Sequence, residues 1–132
     1  VMVARKGPDK RGYFICTDGT SRSMQAVRRA AVLAHFAGEP VTLFSVAPSE
    51  AARPAAEEAV ASARALLKAM RLDVHETRVG IGNVVEEIVE TGSLYRAIVV
   101  TDEGRSRLQR LLKGSTATAV VRHARTSVLD VR

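Results

Sequence analysis

Cysteine is almost absent from this chain: Cys16 stands alone, so no disulfide can form within it. Placed in a short apolar run, Cys16 reads as a small buried hydrophobe rather than a reactive thiol. Tryptophan is missing, and the aromatics amount to three Phe and two Tyr. That argues against a core built on stacked rings. It also leaves few of the platforms on which single-stranded nucleic acids stack. No run approaches the ~20 apolar residues that a membrane-crossing helix needs. The first eleven residues, Val1 to Arg11, are basic but have no apolar segment and no small-residue cleavage site behind them. A secretory signal is therefore not expected, and a cytoplasmic protein with no membrane partner is.

What the chain does have is enough apolar material for one core. Hydrophobic residues, mainly Ala, Val and Leu, make up 46% of its 132 residues, beside a charged fraction of 26%. That is the composition of a single folded domain with slim helices packed on a sheet. The net charge is +6 and unevenly placed: from Gly104 onward there are seven Lys or Arg and one acid, Asp130. Such a bias fits a nucleic-acid surface, a local attraction for the phosphates of a small ligand, or a merely solvated basic face. Composition alone leaves all three open.

Periodicity divides the chain. Residues 1–12, with Gly7-Pro8 and Gly12, read as a loose leader to a domain spanning 13–132. Tyr13-Phe14-Ile15-Cys16 is a continuous apolar run, the pattern of a strand covered on both faces. Thr17-Asp18-Gly19-Thr20-Ser21 ends it and supplies helix N-cap candidates. Met24, Val27, Ala30, Ala31 and Ala34 then recur at helical spacing until Gly38, a helix stop. A second strand is expected from Pro40 to Ser45, and a polar loop from Pro48 to Pro54. A second helix follows, with Ala56, Val60, Ala63, Leu67 and Met70 inward. His75 to Ile81 predicts a weaker strand at a sheet edge. Val84 to Glu90 predicts a short helix with Val84, Val85 and Ile88 inward and Glu86-Glu87 solvated. Ala97 to Val100 is the clearest strand of all. A loop from Thr101 to Lys113, a helix from about Ser115 to His123, and a last strand, Ser127 to Val131, complete the pattern.

Strands alternating with helices in this way predict right-handed crossovers and a doubly wound, five-stranded parallel sheet with helices on both faces. The flavodoxin-like strand order 3-2-1-4-5 is expected. In such sheets ligands bind beyond the carboxyl ends of the strands, where the order reverses. Those ends are Thr17–Thr20, Ser45–Ala47 and Thr101–Gly104. The last continues as Thr101-Asp102-Glu103-Gly104-Arg105-Ser106-Arg107 and runs to Lys113-Gly114-Ser115-Thr116. Gly104 permits a close backbone approach. Gly114-Ser115 opens a helix whose free N–H groups would accept a phosphate, and Ser115 and Thr116 add hydroxyls.

Taken with Thr17-Asp18-Gly19-Thr20, this layout resembles the universal stress protein family over about residues 12–132. Gly104, the nine residues to Lys113, and Gly114-Ser115 match the second half of the family's glycine motif. Ala26, Ala30, Ala34, Val46, Gly82 and Ile88 fall where the family has similar residues, as does the ending Val120-Val121-Arg122-His123-Ala124 with Val128-Leu129-Asp130-Val131. The resemblance implies an ATP site, with Asp18 and Val46 by the nucleoside and Gly104, Gly114 and Ser115 at the phosphates. Thr17, Thr101 and Thr116 would border it. Mg²⁺ would accompany the ATP. The resemblance also implies a homodimer paired through Ser127–Val131. The chain departs from the motif at its first glycine, which is Thr101 here, and Asp102 and Glu103 follow it. Two carboxylates beside a phosphate oppose binding, each by roughly 1 kcal/mol in water at about 4 Å and by more when desolvated.

His35, His75 and His123 lie far apart without metal-ligand spacing, and nothing in the pattern places a His and an acid beside Ser115 to make it a nucleophile. The expected function is thus a nucleotide-binding regulatory module of the stress-response type, with slow ATP hydrolysis at most and no other enzyme activity. The alternative is a dimeric scaffold of the same family that binds no nucleotide. Nucleic-acid binding through the Arg-rich C-terminal third stands third.

Overall fold

The computed structural model describes residues 12–101 and 127–131. Strand β1 (Tyr13–Cys16) leads into helix α1 (Ser21–Ala37) and strand β2 (Val41–Ala47). A 3₁₀ turn (Glu50–Ala52) precedes helix α2 (Arg53–Ala69), followed by β3 (Glu76–Ile81), α3 (Val84–Gly92), β4 (Ala97–Thr101) and β5 (Ser127–Val131). All five strands pair in parallel in the order β3-β2-β1-β4-β5, the doubly wound arrangement expected. The expected helix over Ser115 to His123 lies outside the described residues.

Each face of the sheet has its own core, because successive strand residues point to opposite sides. On one side Ile15, Leu43 and Val99 pack under α1 and α2, which contribute Ala26, Val27, Ala30, Ala34, Val60, Ala63 and Leu67. The many alanines bring these helices close to the strands. On the other side Phe14, Phe44, Ile98 and Val100 meet Val85 and Ile88 of α3, with Tyr95 from the loop before β4. Here three rings fill the space instead: Phe14 lies 4.6 Å from Phe44 and 4.7 Å from Tyr95 between centroids. Burying these side chains contributes roughly 1.5–3 kcal/mol each.

The helix ends follow local chemistry. Thr20 caps α1 by accepting from the Ser23 N–H, and Gly38 closes it in a left-handed conformation. Asn83 caps α3 through the Glu86 N–H. Three expectations shift. First, β2 runs on past Ser45 to Ala47, because Val46 and Ala47 still pair with Gly80 and Ile81 of β3. Second, Val84 is 36% exposed rather than inward: the buried stripe of α3 runs through 85, 88 and 92 and leaves residue 84 at its rim. Third, Glu87 is half-buried and only Glu86 is fully solvated, since the Glu87 carboxylate lies over Gly80 of β3.

At the end where the strands begin, Gly12 belongs to the fold. It is buried, and its carbonyl accepts from the Arg96 N–H at 2.8 Å, while Tyr13 N–H donates to the Pro40 carbonyl at 2.9 Å. Residues 1–11 of the expected leader lie outside the described residues. No helix among the described residues is long and apolar enough to cross a membrane.

Candidate functional site

Strand order reverses between β1 and β4, since β2 and β3 lie to one side of β1 and β5 lies beyond β4. In doubly wound sheets ligands bind beyond the carboxyl ends of the strands at this switch point. The registers set its level. Ile15 pairs with Val99, so Thr17 and Thr101, each two residues on, come level across β1 and β4. Cys16 pairs with Phe44, and the Thr17 N–H donates to the Phe44 carbonyl at 2.9 Å. Asp18 then leaves the sheet beside the last residues of β2. Val46 is part of that strand rather than following it: it pairs with Gly80, and its half-buried side chain packs on the aromatic face.

The turn from β1 into α1 is held by side-chain hydroxyls. Thr17 is buried, and its Oγ1 lies 2.5 Å from Oγ of Ser23, itself only 3% exposed. Ser23 Oγ also accepts from the Asp18 N–H at 3.2 Å, and Thr17 Oγ1 accepts from the Gly19 N–H at 3.1 Å. Asp18 Oδ1 accepts twice from Thr20, from its N–H at 3.0 Å and its hydroxyl at 2.7 Å. Gly19 stands at φ +84°, and a Cβ there would lie 3.3 Å from Ala59 of α2, so the turn favours glycine on both counts.

Two chemical consequences follow. The N–H groups of Asp18, Gly19, Thr20 and Ser23 are all bonded within the turn, so these four are not offered to a phosphate. What it presents is an acceptor, the exposed Asp18 carboxylate. Partial burial works against its charge, but hydrogen bonds from Thr20 and Ser23 outweigh this and hold its pKa below the usual carboxylate value. Asp18 is therefore an anion at neutral pH, suited to hydroxyl or amine donors of a ligand. It stabilises the turn and faces solvent at once.

The site residues expected from the sequence divide accordingly. Thr17, Asp18, Val46 and the backbone of Thr101 are gathered at one end of the sheet. Gly104, Gly114, Ser115 and Thr116 lie outside the described residues. Sequence reasoning missed Ser23, which no spacing marks and which meets Thr17 only once the turn is formed. Burial pushes the Cys16 thiol well above its ordinary value, so its thiolate is disfavoured. Among the described residues no group of three or more His, Cys, Asp or Glu could hold a metal ion.

Comparison with known proteins places this architecture. Among solved structures, a universal stress protein in complex with cAMP is 25% identical at a TM-score of 0.70, covering 94% of this chain and 98% of that one. A universal stress protein from Archaeoglobus fulgidus in complex with dAMP is 19% identical at a TM-score of 0.69, covering 94% and 99%. A third from that family, from Burkholderia pseudomallei, is 18% identical at 0.63, covering 95% and 98%. No curated protein matches. The model of the Universal stress protein family matches residues 14–132, and the chain belongs to that family.

Proposed function

We propose that this protein binds an adenine nucleotide at the switch point between β1 and β4 and acts as a nucleotide-dependent regulatory module. The observation that carries this reading is the charge character of the β1–α1 turn. Four of its N–H donors, those of Asp18, Gly19, Thr20 and Ser23, are bonded internally, and its exposed carboxylate is a hydrogen-bonded, ionised Asp18. Such a turn favours the neutral, donor-bearing part of a nucleotide, a ribose hydroxyl or a base amine, and repels the phosphates. The phosphates would then fall toward the loop after β4. Gly104, Gly114, Ser115 and Thr116 would supply backbone N–H groups and hydroxyls, and Arg105, Arg107, Arg110 and Lys113 would supply positive charge. Val46 would sit at the nucleoside side, on the same end of the sheet as Asp18.

Support comes also from the solved relatives, one bound to cAMP and one to dAMP. ATP with Mg²⁺ is the fuller form of the same ligand class, and Mg²⁺ would be held largely through the phosphates. The module would work by population shift: nucleotide stabilises one arrangement of the site and thereby one set of partners. No nucleophile–base pair is gathered at the turn, so hydrolysis, if any, would be slow. The homodimer through Ser127–Val131 is part of this reading, supported by the position of β5 at a sheet edge whose outer backbone groups need a partner.

Calorimetric titration with ATP and Mg²⁺, and separately with AMP, tests the proposal. Binding on the order of micromolar, or about 8 kcal/mol, that Gly114→Asp abolishes is the expected result. A folded protein that gives no heat up to millimolar nucleotide contradicts it. The ligand-free scaffold would then stand, with Thr101, Asp102 and Glu103 as the disabling residues.

A further inference from the structure

Helix α1 carries an outward stripe that the rest of the described chain leaves uncovered. From Ser21 to Ala37 it contains no Asp or Glu, while Arg22, Arg28 and Arg29 are all exposed. One and two turns further on, Leu33 is 53% and Phe36 83% exposed, the highest values among the large apolar residues described. Gln25, Arg28, Arg29, Val32 and Leu33 line an open groove of about 650 Å³, closed on its other side by Met70 at the end of α2. Positions 25, 28–29, 32–33 and 36 recur every three to four residues, so they form one stripe along one side of the helix. Apolar side chains make its floor, arginines make its rim, and no carboxylate lines it.

We propose that this stripe docks an acidic amphipathic helix of a partner protein. A single exposed apolar residue is ordinary. Leu33 and Phe36 one turn apart, continuous with a groove that ends on a methionine, have the layout of helix-in-groove recognition, in which an adaptable thioether fits the anchor residue. Charge selects the occupant. Arg28 and Arg29 face the groove with no acid of their own helix to neutralise them, and guanidinium forks pair with carboxylates in a fixed geometry. The concave shape admits a helix, whereas a lipid surface is flat. A single-stranded nucleic acid would find no ring to stack on among the residues that line the groove. The inference does not rest on the nucleotide site, which lies at the strand ends and not on this side of α1.

The test uses the full chain and fluorescein-labelled synthetic helices of about 18 residues, long enough to be partly helical. Each bears Glu on one face and Leu, Met or Phe on the other. At least one is expected to raise fluorescence anisotropy with a micromolar dissociation constant that weakens with added salt. Both Arg28→Glu/Arg29→Glu and Leu33→Ser/Phe36→Ser are expected to weaken it at least tenfold. All four positions are exposed, so circular dichroism should show an unchanged fold. The counterparts with Lys in place of Glu should not bind. Equal binding of Lys and Glu helices, indifference to both double variants, or no binding up to millimolar protein would overturn the proposal. So would silent helices beside single-stranded DNA or phosphatidylserine vesicles that bind the unaltered protein and not Arg28→Glu/Arg29→Glu. That pattern assigns the stripe to nucleic acid or membrane instead.

Discussion

Where the strands begin, the chain is fastened largely by its own backbone. Gly12 O accepts from Arg96 N–H, Tyr13 N–H donates to Pro40 O, His75 N–H donates to Val41 O, and an ion pair, Arg96 with Glu39 at 3.1 Å, spans the same region. Where the strands finish, at the β1–α1 turn, side chains do this work: Thr17, Asp18, Thr20 and Ser23 bond to one another and to the N–H groups between them. The difference separates two duties. Backbone fastening depends little on residue type and stabilises the fold. A hydroxyl and carboxylate turn depends on four particular side chains and leaves one of them, Asp18, charged and in reach of solvent. The same contrast makes the first end a place to change stability and the second a place to change binding.

The comparison breaks most visibly at Gly12. Its φ is +89°, and an added Cβ would meet the Pro40 ring at 2.7 Å as well as the Pro40 carbonyl. Gly12→Ala should cost roughly 3 kcal/mol, lowering Tm by about 10 °C. Nucleotide affinity per folded molecule should stay the same, as calorimetry below the new Tm would show. Ser23→Ala comes next. It takes away the closest partner of the buried Thr17 hydroxyl and leaves the Asp18 N–H without its acceptor, at a cost of about 2 kcal/mol by denaturant titration. Unlike Gly12→Ala, it should also weaken nucleotide binding, because the turn that carries Asp18 loosens.

A smaller effect of opposite sign is expected at Thr42, fully buried with no hydrogen-bond partner for its Oγ1. Thr42→Val replaces the hydroxyl with a methyl of like shape and should stabilise by about 1 kcal/mol with no effect on ligand. The smallest is the pH dependence carried by Asp18. Its pKa is depressed in the fold. Its contribution is therefore fully present above the ordinary carboxylate value of about 4 and is lost as pH falls through the lower folded value. Because the side chain is exposed, this amounts to a fraction of a kcal/mol. Asp18→Asn should flatten that part of the acid limb in a stability-versus-pH series.

Much of the fold was legible in the sequence because hydrophobic period and secondary structure agree. β5 spans its expected limits, β4 runs one residue beyond them, and α1 ends at Gly38 as its spacing and stop signal predict. The misreadings share a physical cause. The hydroxyl of Ser45 looked like a polar strand end, although Ser45 is buried and the strand continues through Val46 and Ala47, and a buried serine in an alanine-rich helix looks no different from a solvated one. Val84 counted as inward because period alone does not fix which edge of a stripe meets the sheet. At the candidate site, Asp18 was identifiable from its place after the first strand. The hydroxyl network around it was not, since it depends on Thr17 and Ser23, six residues apart, meeting across the turn. The phosphate half of the proposed site, Gly104 to Thr116, lies outside the described residues and rests on the family motif.

Amide chemical-shift mapping with AMP, on isotopically labelled protein, tests the central claim most directly. The account predicts the largest shifts at Thr17 to Ser23, at Val46 and Ala47 and at Thr101, all lost in Asp18→Ala, while Gly12, Gly38 and Arg96 stay still. Shifts concentrated at the end where the strands begin, or an unchanged response in Asp18→Ala, would contradict it.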